Sequence, residues 1–479
     1  PPWEYPHITR HIKHWVLEDF LTPYQLDAWH WSYDREGSML WWACGSGKTL
    51  EALLWLASGT DEGERQIVVT RAPTRRQWHR EVSHYTNMQA KVLHGRAPSS
   101  LGDTKLVVLS WEIVQYWKDA LIEWIKGHPS ALVWDELHKG KAWQRHEKYV
   151  DTQGRIRYRW KDNRAAACAQ LAQSVGRRLG LTATPIRDRR SDLWAQCDLI
   201  GPGCMGTNWK WVHRYCDAQP GSFGGINTKG ISNCTELKLR LGTMTHVVPY
   251  AQMAKHLPPK RRQLVYLAKE DQSRPSAFAK DIKMAAKQGK QAMFEMRLLE
   301  AASRKRAWIT ETVLDAVEAG QKVVVFTGRR NDCEALAVAI RKAVSKLGAR
   351  VWSGHGGEST QRRDEMVREY AKYDEACAFI GTTDAFGEAI DGLQHTDLVV
   401  FGLLPWTPGQ VTQAEGRFSR HGSTRCVLIM YTVAEGTVDE HVADFLLEKL
   451  EAVEKTLDDE EAGGVAKTLA GDEDEESII

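Results

Sequence analysis

The sequence predicts an α/β fold of two tandem lobes, each a parallel sheet with flanking helices, plus helical insertions. Short apolar runs bounded by polar residues or glycine alternate with helix-like stretches over residues 39–181, and the same texture returns over 322–431. That is the pattern of parallel strands connected through helices. A polar, helix-prone middle, from about Asp188 to Arg306, separates the two series. The chain has 479 residues, about three times a modal domain, so each lobe is long enough to bury its own core.

In lobe one, expected over 1–245, strands are read at 39–43, 66–69, 105–109, 131–134 and 179–181, with a helix over 50–57. Residues 143–161 carry Arg145, Lys148, Tyr149, Arg155, Arg157, Tyr158, Arg159 and Trp160 without helical periodicity. A basic, aromatic loop or hairpin is expected to project there. Residues 187–245 read as a helical protrusion. Lobe two, 246–455, is given strands at 322–326, 350–352, 376–380, 397–401 and 425–431 and a helical insertion at 265–310. The remainder, 456–479, reads as an acidic disordered tail, since 458–479 hold nine acids against the single base Lys467.

Composition narrows the function. Hydrophobic residues make up 42% and charged residues 26%, ordinary for a globular protein. No apolar stretch approaches the roughly 20 residues that cross a bilayer, so no membrane span is expected. The start, Pro1-Pro2-Trp3-Glu4-Tyr5, lacks a basic region followed by an apolar one, and with no secretory signal visible an intracellular location is expected. Nine cysteines at irregular spacing suit reduced thiols, and the gaps between Cys197, Cys204, Cys216 and Cys234 are too wide for a zinc motif. Net charge is +2, but without the tail 63 bases face 53 acids, which suits a polyanionic partner.

Four segments carry chemistry. Gly45-Ser46-Gly47-Lys48-Thr49 sits between a strand and a helix. In a phosphate-binding loop the glycines let backbone N–H groups face the phosphates, the lysine reaches the β/γ-phosphates and the threonine hydroxyl ligates Mg²⁺. Trp42 stands where the full pattern has glycine, so the match is partial and an ordinary glycine-rich turn is the rival reading. Asp135-Glu136-Leu137-His138 follows the run 131–134, which puts both carboxylates at the C-terminal end of a strand, where ligands bind in such sheets. Asp135 can hold Mg²⁺ while Glu136 acts as general base; the rival is a helix-capping acid pair. Thr182-Ala183-Thr184-Pro185 ends another strand with hydroxyls able to relay hydrogen bonds. Far along the chain, Gln413-Ala414-Glu415-Gly416-Arg417-Phe418-Ser419-Arg420 spaces two arginines three apart on one helix face, either solvated or supplying charge to a transferring phosphoryl group.

Together and in this order, these segments resemble the superfamily-two helicases, and within them the Swi/Snf-type ATPases that translocate on double-stranded DNA, over roughly residues 20–455. Leu21-Thr22-Pro23-Tyr24-Gln25 is similar to that family's adenine-reading segment, with Gln25 in the recognition position. Arg71-Ala72-Pro73-Thr74 with Gln77-Trp78, then Ser110-Trp111-Glu112, resemble its first strand-contacting motifs. Asp135–His138 resembles its Asp-Glu-x-His box, with His138, Thr182 and Thr184 coupling nucleotide to nucleic acid. Leu257-Pro258-Pro259-Lys260-Arg261 is similar to the segment that opens lobe two in this family. Phe326-Thr327-Gly328, Thr382-Thr383-Asp384 and Gln413–Arg420 resemble the later motifs, and Gly436-Thr437-Val438-Asp439-Glu440 the closing helix.

The resemblance implies two RecA-like P-loop lobes. It places Gln25, Gly45, Ser46, Gly47, Lys48 and Thr49 on ATP, and Thr49 and Asp135 on Mg²⁺. It makes Glu136, Gln413, Arg417 and Arg420 catalytic, with the last three facing ATP across the cleft, and sets Arg71, Thr74, Ser110, Thr327, Gly328 and Thr383 along the nucleic acid. Two departures stand out: Trp42-Ala43-Cys44 replaces the usual Asp-Glu-Met, and Asp391 replaces an Asn. Little flanks the matched region, so a minimal motor is expected, targeted by its insertions or by a protein partner.

The implied function is an ATP-dependent, Mg²⁺-requiring double-stranded DNA translocase or remodeller, monomeric in the absence of coiled-coil heptads. A strand-separating DNA or RNA helicase is the alternative, admitted by Asp391 and by a wedge at 143–161. A nucleotide-switched interaction protein is the third reading. Of 20 tryptophans, 17 lie at or before Trp211; most read as packing, with Trp160 a candidate to stack on a base or wedge a duplex.

Overall fold

The computed structural model describes residues 11–19, 21–43, 45–59, 63–72, 74–142, 144–150, 156–186, 189–220, 226–228, 230–248, 260–272, 282, 284–285, 289–387, 392–418, 426–457 and 460–470. The chain divides into two units, Pro1–Pro249 and Tyr250–Ile479. None of the described helices is long and apolar enough to cross a membrane.

The strands of the first unit are β1 (Gly37–Trp41), β2 (Arg65–Thr70), β3 (Ala90–Val92), β4 (Leu106–Ser110), β5 (Ser130–Asp135), β6 (His146–Val150), β7 (Ile156–Trp160), β8 (Arg177–Thr182), β9 (Gln219–Pro220), β10 (Ile226–Asn227) and β11 (Thr245–Val247). Seven form a wholly parallel sheet in the order β11-β1-β8-β5-β2-β4-β3. A parallel strand covered by helices on both faces must be apolar throughout, and β4 and β5 are buried at every position but Asp135. Tryptophan fills this unit: Trp29, Trp42, Trp55, Trp78, Trp111, Trp117, Trp134 and Trp211 are all fully buried. Trp111 stacks on Trp134 with centroids 4.9 Å apart.

The edge strands β3 and β11 escaped sequence reading, because Ala-Lys-Val and Thr-His-Val are too short to show a period. β11 also corrects a boundary: residues 246 and 247, assigned above to lobe two, pair with Leu40 and Trp41 of β1. The helices Asp192–Ile200, Asn208–Tyr215 and Cys234–Gly242 lie between β8 and β11. Residues 143–161 contain the antiparallel hairpin β6–β7.

The second unit has β12 (Lys260–Leu267), β13 (Lys322–Thr327), β14 (Arg350–Gly354), β15 (Cys377–Thr382), β16 (Leu398–Phe401) and β17 (Val427–Ala434). All six are parallel, in the order β12-β17-β16-β13-β15-β14. The expected insertion at 265–310 is corrected on two counts. β12 runs through Leu267, and the helix Lys290–Glu318 is a layer of the core, burying Leu298, Ala301, Ile309 and Val313. Its polar look arises partly from Lys305, which is fully buried: Nζ lies 2.5 Å from Asp439 and donates to the Thr432 carbonyl at 3.1 Å. A buried charge is tolerable only when paired in this way.

The disordered tail is corrected likewise. Glu460–Ala470 is helical and buries Val465, Ala466 and Leu469. Acidity averaged over 458–479 hid an acid-free core sequence, Ala-Gly-Gly-Val-Ala-Lys-Thr-Leu-Ala. Residues 471–479 lie outside the described residues.

Glu415 closes the helix Pro408–Glu415 and is almost wholly buried. Its Oε1 accepts from Arg262 Nε at 2.9 Å and from the Tyr431 hydroxyl, and its Oε2 from Arg262 Nη2 at 2.7 Å, with Lys260 Nζ at 3.6 Å. Burial pushes this carboxyl up, but the charges of Arg262 and Lys260 outweigh it and hold the group at about 2. A depressed carboxylate stabilises the fold above its unfolded value, and that contribution is lost as pH falls from about 4 towards 2. Glu415→Ala leaves the largely buried side chains of Lys260 and Arg262 without their counter-charge and should cost about 3–5 kcal/mol. The check is a lower urea midpoint for unfolding of the full chain.

Candidate active site

The strand order makes a site out of distant segments. β1, β8, β5, β2 and β4 are consecutive neighbours, so the loops leaving them, at 42–49, 183–186, 136–138, 71–74 and 111–113, emerge in one row along the C-terminal edge of the sheet.

The first loop has a phosphate-cradle backbone. Gly45 and Gly47 both have φ of +80°, the left-handed region costly to any residue with a Cβ. A Cβ on Gly47 would also come 2.6 Å from Gln25 Nε2. Gln25 Nε2 donates to the Gly47 carbonyl at 3.3 Å, while its Oε1 accepts from Thr22 N and Oγ1, each at 2.9 Å. The Tyr24 hydroxyl donates to the Ser46 carbonyl at 2.8 Å. The first turn of the helix Pro23–Ser32 thus grips the loop. Gly47 caps the helix Lys48–Ala57 without a side-chain acceptor, leaving its first N–H groups suited to an anion.

Lys48 Nζ donates to the carbonyls of Trp42 at 2.9 Å and Ala43 at 2.8 Å. This explains how Trp42 stands in the place of glycine. Its carbonyl serves as acceptor whatever the side chain, and its ring packs edge-on to Tyr24 and donates from Nε1 to His246 Nδ1 at 3.2 Å. Next along the helix, Glu51 is fully buried, and burial drives its carboxyl well above the usual range.

Asp135 ends β5 and is held from three sides. Its Oδ2 accepts from Thr70 Oγ1 at 2.6 Å and Trp78 Nε1 at 2.8 Å, and its carbonyl accepts from Trp111 Nε1 at 2.8 Å. Desolvation and then the neighbouring Glu136 raise this carboxyl, against the two hydrogen bonds and the charge of Lys48. Glu136 has φ of +54°, a left-handed conformation strained for a residue with a Cβ. His138 Nδ1 lies 3.4 Å from Glu136 Oε2, 3.2 Å from Thr182 Oγ1 and 3.4 Å from Thr184 Oγ1, and Thr184 N donates to Thr182 Oγ1 at 3.0 Å. The structure therefore joins Glu136, His138, Thr182 and Thr184 into one chain of contacts. Thr49 offers a hydroxyl and Asp135 a carboxylate, hard oxygen donors of the kind Mg²⁺ takes.

Towards β2 and β4, Thr74 Oγ1 lies 2.6 Å from Thr70 Oγ1 and donates to the Arg71 carbonyl at 3.0 Å. Thr70 thereby touches both Asp135 and the segment Arg71-Ala72-Pro73-Thr74. Ser110 is buried at the end of β4. In the second unit, Thr383 Oγ1 donates to the Thr327 carbonyl at 3.3 Å, and Thr327 Oγ1 to the Gly381 carbonyl at 3.4 Å. Gly328 packs so closely that a Cβ would meet Leu403 Cδ2 at 2.2 Å. Gln413 and Arg417 are buried, with Arg417 Nε donating to the Gly387 carbonyl at 3.3 Å. Arg420, Asp391 and residues 257–259 lie outside the described residues.

Sequence reading missed Tyr24, Thr70, Trp78 and Trp111 as supports. A signal was present: the indole N–H only donates, and both tryptophans sit within segments singled out above.

Residues 24–313 match the SNF2-related domain family, and residues 304–422 the helicase conserved C-terminal domain. The chain is 27% identical over 455 residues to the SWI/SNF-related matrix-associated actin-dependent regulator of chromatin subfamily A-like protein 1 of Xenopus laevis, covering 90% of this chain and 44% of that protein. It is 24% identical to the DNA annealing helicase and endonuclease ZRANB3 of Bos taurus, covering 91% of this chain and 40% of that one. The chain thus spans less than half the length of these two relatives. Among solved structures it is similar to the Sulfolobus solfataricus SWI2/SNF2 ATPase core in complex with dsDNA, at 18% identity and a TM-score of 0.41, over 94% of this chain and 96% of that one.

Proposed function

The chain belongs to the SNF2-related family of superfamily-two helicases, and from that premise we propose that it is an ATPase that translocates on or remodels double-stranded DNA. The observation that carries the reading is the row formed by the Gly45–Thr49 loop, Asp135–Glu136 and the His138–Thr182–Thr184 contacts on neighbouring strand ends. A bare phosphate-binding loop would serve a kinase equally well. The link from a candidate general base through His138 to the threonines suits an enzyme whose hydrolysis is coupled to a second ligand.

The cradle fits a nucleotide with Mg²⁺: Gly45 and Gly47 both take the left-handed backbone that suits a phosphate loop, and the charge of Lys48 acts on Asp135. Thr49 and Asp135 would hold the metal, which would supply positive charge to the phosphates of the nucleotide. Lys48 exchanges its carbonyl partners for phosphate oxygens. Glu136 accepts the proton of the attacking water, and His138 transmits the change at Glu136 to Thr182 and Thr184. Gln413, Arg417 and Arg420 are assigned to the transition state by the sequence resemblance, and Arg71, Thr74, Ser110, Thr327, Gly328 and Thr383 to the DNA backbone. Arg420→Ala should slow single-turnover hydrolysis on the order of 10³-fold with ATP affinity retained. A loss confined to DNA affinity would make Arg420 a backbone contact instead.

The test is steady-state hydrolysis without nucleic acid and with blunt duplex DNA, single-stranded DNA or RNA, at two salt concentrations. Duplex DNA should stimulate most, with stimulation falling steeply as salt rises, because backbone tracking is electrostatic. Stimulation chiefly by a single strand would favour strand separation, and equal rates throughout would exclude a motor.

A further inference from the structure

We infer that the hairpin β6–β7 is a second nucleic-acid contact, one that takes an unpaired base at the end of a duplex. The inference rests on the reading above for the presence of DNA. Among the described residues the ribbon pairs only with itself, outside the seven-stranded sheet. Its root is fixed. Arg145 is buried, ion-paired with Asp198, donates to the Ala195 carbonyl at 3.3 Å and lies over the Trp194 ring at 5.1 Å. Lys161 N donates to the Arg145 carbonyl at 2.8 Å, and Asn163 Nδ2 to that of Gln144 at 2.9 Å.

Beyond the root, side chains of an antiparallel ribbon alternate between two faces. The register puts His146–Trp160 and Lys148–Tyr158 on one face and Glu147–Arg159 on the other. The second face is partly neutralised, since Arg159 Nε donates to Glu147 Oε1 at 2.6 Å. Among the described residues the first face holds no acid. Its Trp160, the candidate from sequence for stacking on a base, is engaged within the ribbon, its ring 4.1 Å from that of His146. Tyr158, by contrast, is 71% exposed, and Lys148 stands directly opposite it and is also exposed.

An exposed ring beside an ammonium supplies both needs of a single nucleotide: a surface for the base and a cation for its phosphate. Paired bases already stack on one another, so the ligand is an unpaired nucleotide. A polyanion is favoured over a protein partner because residues 144–161 carry six bases against Glu147 and Asp151.

The test measures binding of the full chain to two labelled DNAs of equal duplex length, one blunt and one with a single-stranded extension. The wild type should prefer the extended DNA. Tyr158→Ala should weaken binding to it about tenfold, with the blunt duplex affected less than about twofold, and Tyr158→Trp should retain the preference. Lys148→Ala should lower the salt slope on the extended DNA by about one. Equal weakening on both DNAs, or on neither, overturns the proposal. Failure of blunt duplex to stimulate hydrolysis would overturn the translocase reading instead, while an extension preference abolished by Tyr158→Ala would still support the hairpin contact.

Discussion

Glu136→Gln should bind ATP as the wild type does and hydrolyse it about 10²–10⁴-fold more slowly, the range a positioned general base contributes. Gln is isosteric and keeps a hydrogen-bonding side chain 3.4 Å from His138, so neither packing nor the cradle is disturbed. What is lost is a basic oxygen able to take a proton. Asp135 cannot replace it, because its Oδ2 is already committed to Thr70 and Trp78 and Mg²⁺ is assigned to the same carboxylate. Single-turnover hydrolysis alongside nucleotide binding separates the two effects. Wild-type hydrolysis in this variant would remove Glu136 from the chemistry.

Lys48→Ala should instead abolish measurable nucleotide binding. The amine is poised by two carbonyls at 2.8 and 2.9 Å. Charge-assisted hydrogen bonds of about 1.5–3 kcal/mol each make the loss about 10²–10⁴-fold in affinity. The change also acts on Asp135, whose raised carboxyl Lys48 helps to hold down. Without that charge Asp135 ionises at higher pH, so the acid limb of any residual Mg²⁺-dependent binding should move upward. Calorimetric titration with a non-hydrolysable ATP analogue across pH measures both effects. An unchanged affinity would mean that the Gly45–Thr49 loop is only a turn.

The legible parts of the sequence were those where one physical demand dominates several consecutive residues. Covered parallel strands must be apolar, so the run 131–134 located β5 and thereby Asp135 and Glu136; the same held for β1 and the loop with Lys48. The illegible parts were those settled by partners distant in sequence. Nothing near Thr245–Val247 indicates that it pairs with β1. Lys305 reads as a solvated helix position until Asp439 is placed 2.5 Å from it. The helix Glu460–Ala470 was masked by acids on both flanks, although Val465 and Leu469 are one turn apart, as a buried helix face requires. Trp78 and Trp111 read as packing, which is true of their rings but leaves out the indole N–H groups that fix Asp135.

The central claim is movement along a duplex powered by hydrolysis. The most direct measurement is ATP-dependent displacement of a third strand bound to the major groove of a blunt duplex, with Glu136→Gln as the control. The account predicts that the wild type releases the third strand while the two duplex strands stay paired, and that the variant releases none. Separation of the duplex strands, or hydrolysis stimulated by DNA with the third strand left in place, would contradict it.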